Sequence, residues 1–116
     1  VTDLITRLER AEGPDRELDC RIWCVMRGAD FDLYSQVVPN FNEWQALRYT
    51  ASIDAALTLV PDEYLLGILA ELENGRWTTK LLNRREIAGL PPESGPTPAL
   101  ALCIAALRAQ QKDTNA

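Results

Sequence analysis

The 116-residue chain contains no histidine. Histidine is the side chain that most often moves protons near neutral pH. Its absence excludes Ser–His and Cys–His nucleophile pairs and any zinc site with a histidine ligand. An enzyme built on this chain would have to work with carboxylates, lysine, tyrosine or a supplied metal. The chain also lacks a run of ~18 apolar residues, so no membrane span is expected. No N-terminal pattern of charged, apolar and small residues marks a signal peptide, and the expected location is the cytoplasm. No glycine-rich phosphate loop occurs. Basic residues are sparse: twelve Lys and Arg stand against seventeen Asp and Glu, a net charge of −5. The densest basic cluster is only Arg84–Arg85. Nucleic-acid affinity rests on clustered Lys and Arg, so a nucleic-acid partner is disfavoured. The three cysteines are an odd count, and Cys20, Cys24 and Cys103 match neither a zinc knuckle nor a redox CxxC. They read as reduced thiols serving as small apolar residues in a core.

What is present suits a globular protein. The hydrophobic fraction of 47% and charged fraction of 25% are ordinary for one, and the length fits one domain. Leu4, Ile5, Leu8 and Ala11 form a helical stripe after Thr2, a candidate cap, and Gly13-Pro14 ends it. Asp15 caps a second helix, Leu18, Ile22 and Val25 form its inner face, and Gly28 stops it. Residues 29–48 show no clean periodicity but carry Phe31, Tyr34, Phe41 and Trp44, with Tyr49 just beyond. They read as a loop whose aromatics plug the core, or as a recognition loop. Ser52 caps a third helix bearing Ile53, Ala56, Leu57 and Val60, and Pro61 ends it.

Residues 62–75 are compatible with a helix closed by Gly75, but Asn74-Gly75 is also a strong hairpin signal. A two-residue tip there sets Glu73 opposite Arg76, Leu72 opposite Trp77, Ala70 opposite Thr79 and Ile68 opposite Leu81. One face then carries Leu66, Ile68, Ala70, Leu72, Trp77 and Leu81, and the polar residues segregate to the other. The hairpin is preferred. Residues 84–96 read as a linker, because Pro91-Pro92 opposes regular structure. Thr97-Pro98 opens a last helix, apolar almost all round from Ala99 to Ala109, which belongs in a core or a subunit interface. Residues 110–116 lack apolar side chains except the final alanine and read as a disordered C-terminal tail. The expectation is a single α+β domain over residues 1–109.

Three blocks carry a family resemblance. They are Gly13-Pro14-Asp15-Arg16-Glu17-Leu18-Asp19, the stretch from Tyr49 through Ser52 and Asp54 to Val60-Pro61, and Thr97-Pro98 through Cys103 to Ala109. Together they resemble the small phage and prophage proteins grouped as the phage ABA sandwich domain. The resemblance implies a compact alpha-beta-alpha sandwich, with helices around a small antiparallel sheet or hairpin. It implies a phage context in a host bacterial cell, and no catalytic residues.

No catalytic, cofactor or metal residue is assigned. Asp15, Glu17 and Asp19 are better explained by helix capping and the helix dipole than by a cation. Capping likewise explains Thr50, Ser52 and Asp54. An anionic small molecule would find its candidates in Tyr64, Trp77, Arg84 and Arg85, with Glu86 beside them, because aromatic rings stack on bases and arginines grip phosphates. The leading expectation is a phage accessory protein of unknown role that acts by binding. Its partner would be a host or phage protein, or itself, through the apolar C-terminal helix or the aromatic segment 31–49. The alternative is an anti-defence protein that blocks a host immune protein or sequesters a nucleotide signal.

Overall fold

The caps set most element boundaries. The computed structural model describes residues 2–85 and 89–115. Helix α1 spans Thr2–Arg10 and buries Leu4, Ile5 and Leu8. It begins at Thr2, so that residue lies inside the helix. Helix α2 spans Arg16–Arg27. Asp15 Oδ1 accepts the Leu18 N–H at 3.2 Å, and Gly28 closes the helix in the left-handed region at φ 65°, where a side chain would be strained. Helix α2 buries Leu18, Cys20, Ile22 and Cys24 and leaves Val25 and Met26 exposed.

Helix α3, Phe31–Val37, departs from the expected loop. Asp30 caps it, accepting the N–H groups of Asp32 and Leu33. At seven residues and with none buried, α3 is too short to print an apolar stripe in the sequence. A 3₁₀ turn follows at Phe41–Glu43. Helix α4 covers Ile53–Leu57 and is capped by Ser52. Its inward side chain is Ala56, joined by Leu59 just beyond, while Ile53 and Leu57 are exposed.

Strands β1 (Tyr64–Glu71), β2 (Trp77–Asn83) and β3 (Glu93–Gly95) form an antiparallel sheet in the order β1-β2-β3. The hairpin is present, but its register differs from the expected one. Leu72 N–H donates to Arg76 O at 2.6 Å and Gly75 N–H to Leu72 O at 3.0 Å. The loop is therefore Glu73-Asn74-Gly75, with Gly75 at φ 82°. Three-residue loops of this kind place glycine in the left-handed position. Trp77 faces Glu71 and Thr79 faces Leu69, and a bulge at Gly67 restores Leu66 to Leu81. Each one-residue step turns side chains over. The expected apolar face is split: Leu66 and Leu81 point inward, while Ile68, Ala70 and Leu72 are exposed. Strand β3 lies within the expected linker. It pairs at the sheet edge, three residues past Pro91-Pro92 counted to Gly95, where the prolines do not interrupt the ladder. Residues 86–88, Glu86 among them, lie outside the described residues.

Helix α5, Pro98–Asn115, is the middle of the molecule. Thr97 Oγ1 accepts the Leu100 N–H. The sheet packs on α5, and so do α1 and α4. Every residue from Ala99 to Leu107 is buried. Ala105 and Ala109, one turn apart, meet Tyr64 and Leu81. Gly95 faces Ala101 one turn earlier. A Cβ at Gly95 would stand 2.8 Å from the Ala101 nitrogen and 3.1 Å from its Cα. The small residues let helix and sheet approach at backbone distance.

One expectation is corrected here. The apolar stretch of the C-terminal helix from Ala99 to Leu107 is covered by the protein's own core and offers no surface for self-association. The helix runs on to Asn115, into the stretch expected as a C-terminal tail. Gln110 Nε2 donates to Leu59 O at 2.8 Å, and propagating a docked helix is far easier than nucleating one. The chain is an α+β protein, and its described residues form five α-helices, one 3₁₀ turn and one antiparallel sheet. No helix among the described residues is long and apolar enough to cross a membrane.

The three cysteines are free and buried. Burial pushes the Cys103 thiol up to about 12 and Cys20 to about 11, and raises Cys24 as well. At about pH 8, an unperturbed thiol is partly ionised. The folded chain is expected to resist a water-soluble disulfide reagent there, and denaturant to release three reactive thiols. Gly95→Ala is expected to lower the unfolding free energy by about 2 kcal/mol, because backbone cannot yield to the new methyl. Urea titration measures it.

Candidate functional site

Arg16, the first residue of α2, organises the irregular segment between α3 and α4. Its Nε donates to Phe41 O at 3.0 Å, Nη2 to Trp44 O at 2.8 Å and Nη1 to Leu47 O at 3.3 Å. Irregular backbone inside a protein needs partners for its carbonyls. A guanidinium offers five donors in one rigid fork. The charge is balanced by Asp19, whose Oδ2 lies 3.5 Å from Arg16 Nη1. Asp19 is only 2% exposed. Its Oδ1 accepts the Thr50 N–H at 2.8 Å and the Thr50 hydroxyl at 2.7 Å. Thr50 Oγ1 accepts the Asp15 N–H at 2.9 Å. Asp15 and Asp19 are therefore engaged in capping and in this network. No group of three potential metal-ligating side chains occurs among the described residues.

This clamp holds a cluster of aromatic rings against α2. Trp23, Tyr34 and Trp44 meet pairwise. Ring centroids are 5.3 Å apart for Trp23–Tyr34 and 5.7 Å for Trp23–Trp44 and Tyr34–Trp44. Phe31 and Phe41 stack at 5.8 Å beside them. Trp44 Nε1 donates to Val38 O at 2.8 Å. Trp23 Nε1 is buried and has no hydrogen-bond partner among the described residues. A cleft of about 370 Å³ opens between Trp23, Tyr34, Val38, Glu43, Trp44 and Gln45. Trp44 and Tyr49 are buried, whereas Tyr34 is 45% exposed. Most of the segment's rings pack, as expected of aromatics that plug a core, while Tyr34 stays open to solvent.

The four residues suggested for an anionic ligand do not form one site. Tyr64 is buried against Leu81, Ala105 and Ala109, so its ring is closed to stacking. It pairs with Asn83, beside Arg84. Arg84 Nε donates to Asp62 O at 2.8 Å, and its N–H donates to Glu63 O. Arg85 is exposed, with its N–H on Asn83 Oδ1. Trp77 stands at the hairpin end, opposite Glu71 and Gly95. Asn83 lies six positions further along the strand, roughly 20 Å at strand rise. Spacing in sequence suggested proximity that strand geometry denies.

Sequence reasoning missed Arg16 and Thr50 as an organising pair. Nothing in their local pattern signals it, since the partners lie 25 to 35 residues apart. A second cleft of about 310 Å³ lies between Leu81, Leu90, Pro91, Glu93, Arg108 and Gln111. Arg108 joins Glu9 of α1, by a 3.1 Å hydrogen bond, to Glu93 of β3, whose carboxylate lies 3.1 Å from its Nε. Burial raises the Glu93 carboxyl above its ordinary range, and the Arg108 charge partly offsets that.

No protein-family model, curated protein or solved structure matches the chain.

Asp19→Ala is expected to cost about 3 kcal/mol, because it leaves the half-buried Arg16 charge without its counter-ion. Thr50→Val is expected to cost about 2 kcal/mol by orphaning Asp15 N–H and one carboxylate contact. Because the two share one network, the double variant should fall short of the sum in urea unfolding.

Proposed function

We propose that this chain is a small phage or prophage accessory protein that acts by binding a protein partner, its own second copy first, and not by catalysis. The phage setting, and with it a bacterial cytoplasm, is supported by the three blocks that resemble the ABA sandwich domain. The binding reading is carried by one observation. The outer face of β1 presents Leu65 and Ile68 at 37% and 51% exposure, with Leu72 just past the strand end at 40%, and α5 packs on this strand from the other side.

Strand β1 is also an edge strand, so one side of its backbone meets no further strand among the described residues. It reads Tyr-Leu-Leu-Gly-Ile-Leu-Ala-Glu, eight residues with a single charge at the end. Long apolar edges are templates for pairing with another chain, and proteins that stay monomeric usually blunt them with lysine or proline. A two-fold pairing centred between Gly67 and Ile68 sets Leu65 opposite Ala70 and Leu66 opposite Leu69 of the second copy. The Gly67 bulge keeps each such pair on one face, so the register is self-complementary. The alternative of sequestering a nucleotide loses its aromatic wall, since Trp77 is remote from Arg84 and Arg85.

Light scattering across a concentration series tests the reading. The chain is expected to form a dimer, and Ile68→Lys to shift it to monomer without lowering the melting temperature. A wild-type monomer at the highest attainable concentration would overturn self-association.

A further inference from the structure

A second surface, apart from the sheet edge, carries an inference of its own. We propose that the aromatic cleft is a cation-accepting site that takes a lysine or arginine side chain of a protein partner. Trp23, Tyr34 and Trp44 all line the cleft. Their planes are inclined at 71°, 77° and 53° to one another. The rings pack edge-to-face or tilted on one another, and Tyr34 is the one left widely open, at 45% exposure. Arg21 sits 4.0 Å above the Phe31 ring in this same chain, a stacking of cation on ring that the cleft offers again at Tyr34.

The electrostatics agree with the geometry. Glu43 stands in the wall of the cleft. From Gly28 to Leu47 the chain carries Asp30, Asp32 and Glu43 and no basic residue. The basic groups that reach this region from α2 are already engaged. Arg16 is bound to carbonyls and Asp19, Arg21 to Glu17 and Phe31, and Arg27 lies 4.7 Å over Trp23. Two rings of the cluster thus hold cations of the chain itself, while Tyr34 and Trp44 hold none among the described residues. The occupant is a side chain of a protein partner because a cleft of about 370 Å³ lined by three rings and one carboxylate suits a long apolar stem with a single positive charge at its end.

The test uses the full chain and capped amino acids as probes. N-acetyl-lysine amide and N-acetyl-arginine amide are compared with the neutral N-acetyl-norleucine amide and N-acetyl-citrulline amide. The readout is the indole N–H resonances of Trp23, Trp44 and Trp77, assigned with single Trp→Phe variants. The cationic probes are expected to shift Trp23 and Trp44 saturably and to leave Trp77, on the sheet, unmoved. Glu43→Gln is expected to weaken the effect roughly two- to fivefold, and Tyr34→Ala by a similar factor. Equal shifts from the neutral probes would overturn the cation preference while leaving an apolar binding cleft. Silence from all four would overturn the site altogether. Neither result depends on the oligomeric state, so the sheet-edge reading stands or falls separately.

Discussion

A carboxylate almost without solvent holds the irregular segment between α3 and α4 in place. Burying an ion costs several kcal/mol unless geometry and hydrogen bonds compensate. Asp19 is compensated from two sides, by Arg16 on its own helix and by the amide and hydroxyl of Thr50. The same Arg16 then satisfies three carbonyls between Phe41 and Leu47. One charge pair therefore fixes the distance from α2 to a segment that has almost no regular structure. The aromatic cluster depends on it, because Trp44 and Phe41 are the residues whose carbonyls are gripped. The link continues into the core: Cys103 of α5 donates to Tyr49 O, one residue before Thr50.

The second constraint is the position of α5. A helix apolar on every side needs a covering on every side. Here the sheet covers one side and α1 and α4 the other. The alanines at 105 and 109 and the glycine at 95 permit the close approach. Arg108 is half-exposed, and it ties α1 to β3 across the helix. With α5 enclosed, the surface left for partners comes from elements that the core does not need on both faces, namely β1 and α3.

Capping chemistry was the most legible part of the sequence. Asp15, Gly28, Ser52 and Thr97 all act as their residue types suggest, because a cap is a contact over three or four residues. The enclosed last helix was legible from composition alone, as core or interface, and the structure decides for core. The hairpin was legible as an element but not in register. Asn74-Gly75 supports both a two-residue and a three-residue loop, and Gly67 gives no sign of being a bulge until its partner strand is known. Those two single-residue choices decide which way Ile68, Ala70 and Leu72 point. The candidate site was less legible still. Tyr64, Trp77, Arg84 and Arg85 were grouped by nearness in sequence, whereas the residues that do converge, Trp23, Tyr34, Glu43 and Trp44, come from three separate elements.

The two exposed features differ in what they can recognise. The outer face of β1 is apolar and backbone-rich, so its affinity comes from buried area and ladder hydrogen bonds, and a second copy satisfies both. The proposed cation cleft is small and lined by three rings and the Glu43 carboxylate, so charge is its means of discrimination. The net charge of −5 acts in opposite directions at the two. It opposes bringing two copies together, and salt screening would relieve that. It favours a basic partner at the cleft, and salt would weaken that. Rising ionic strength should therefore strengthen association through the strand while loosening capture of a cation, which separates the two surfaces without altering a residue.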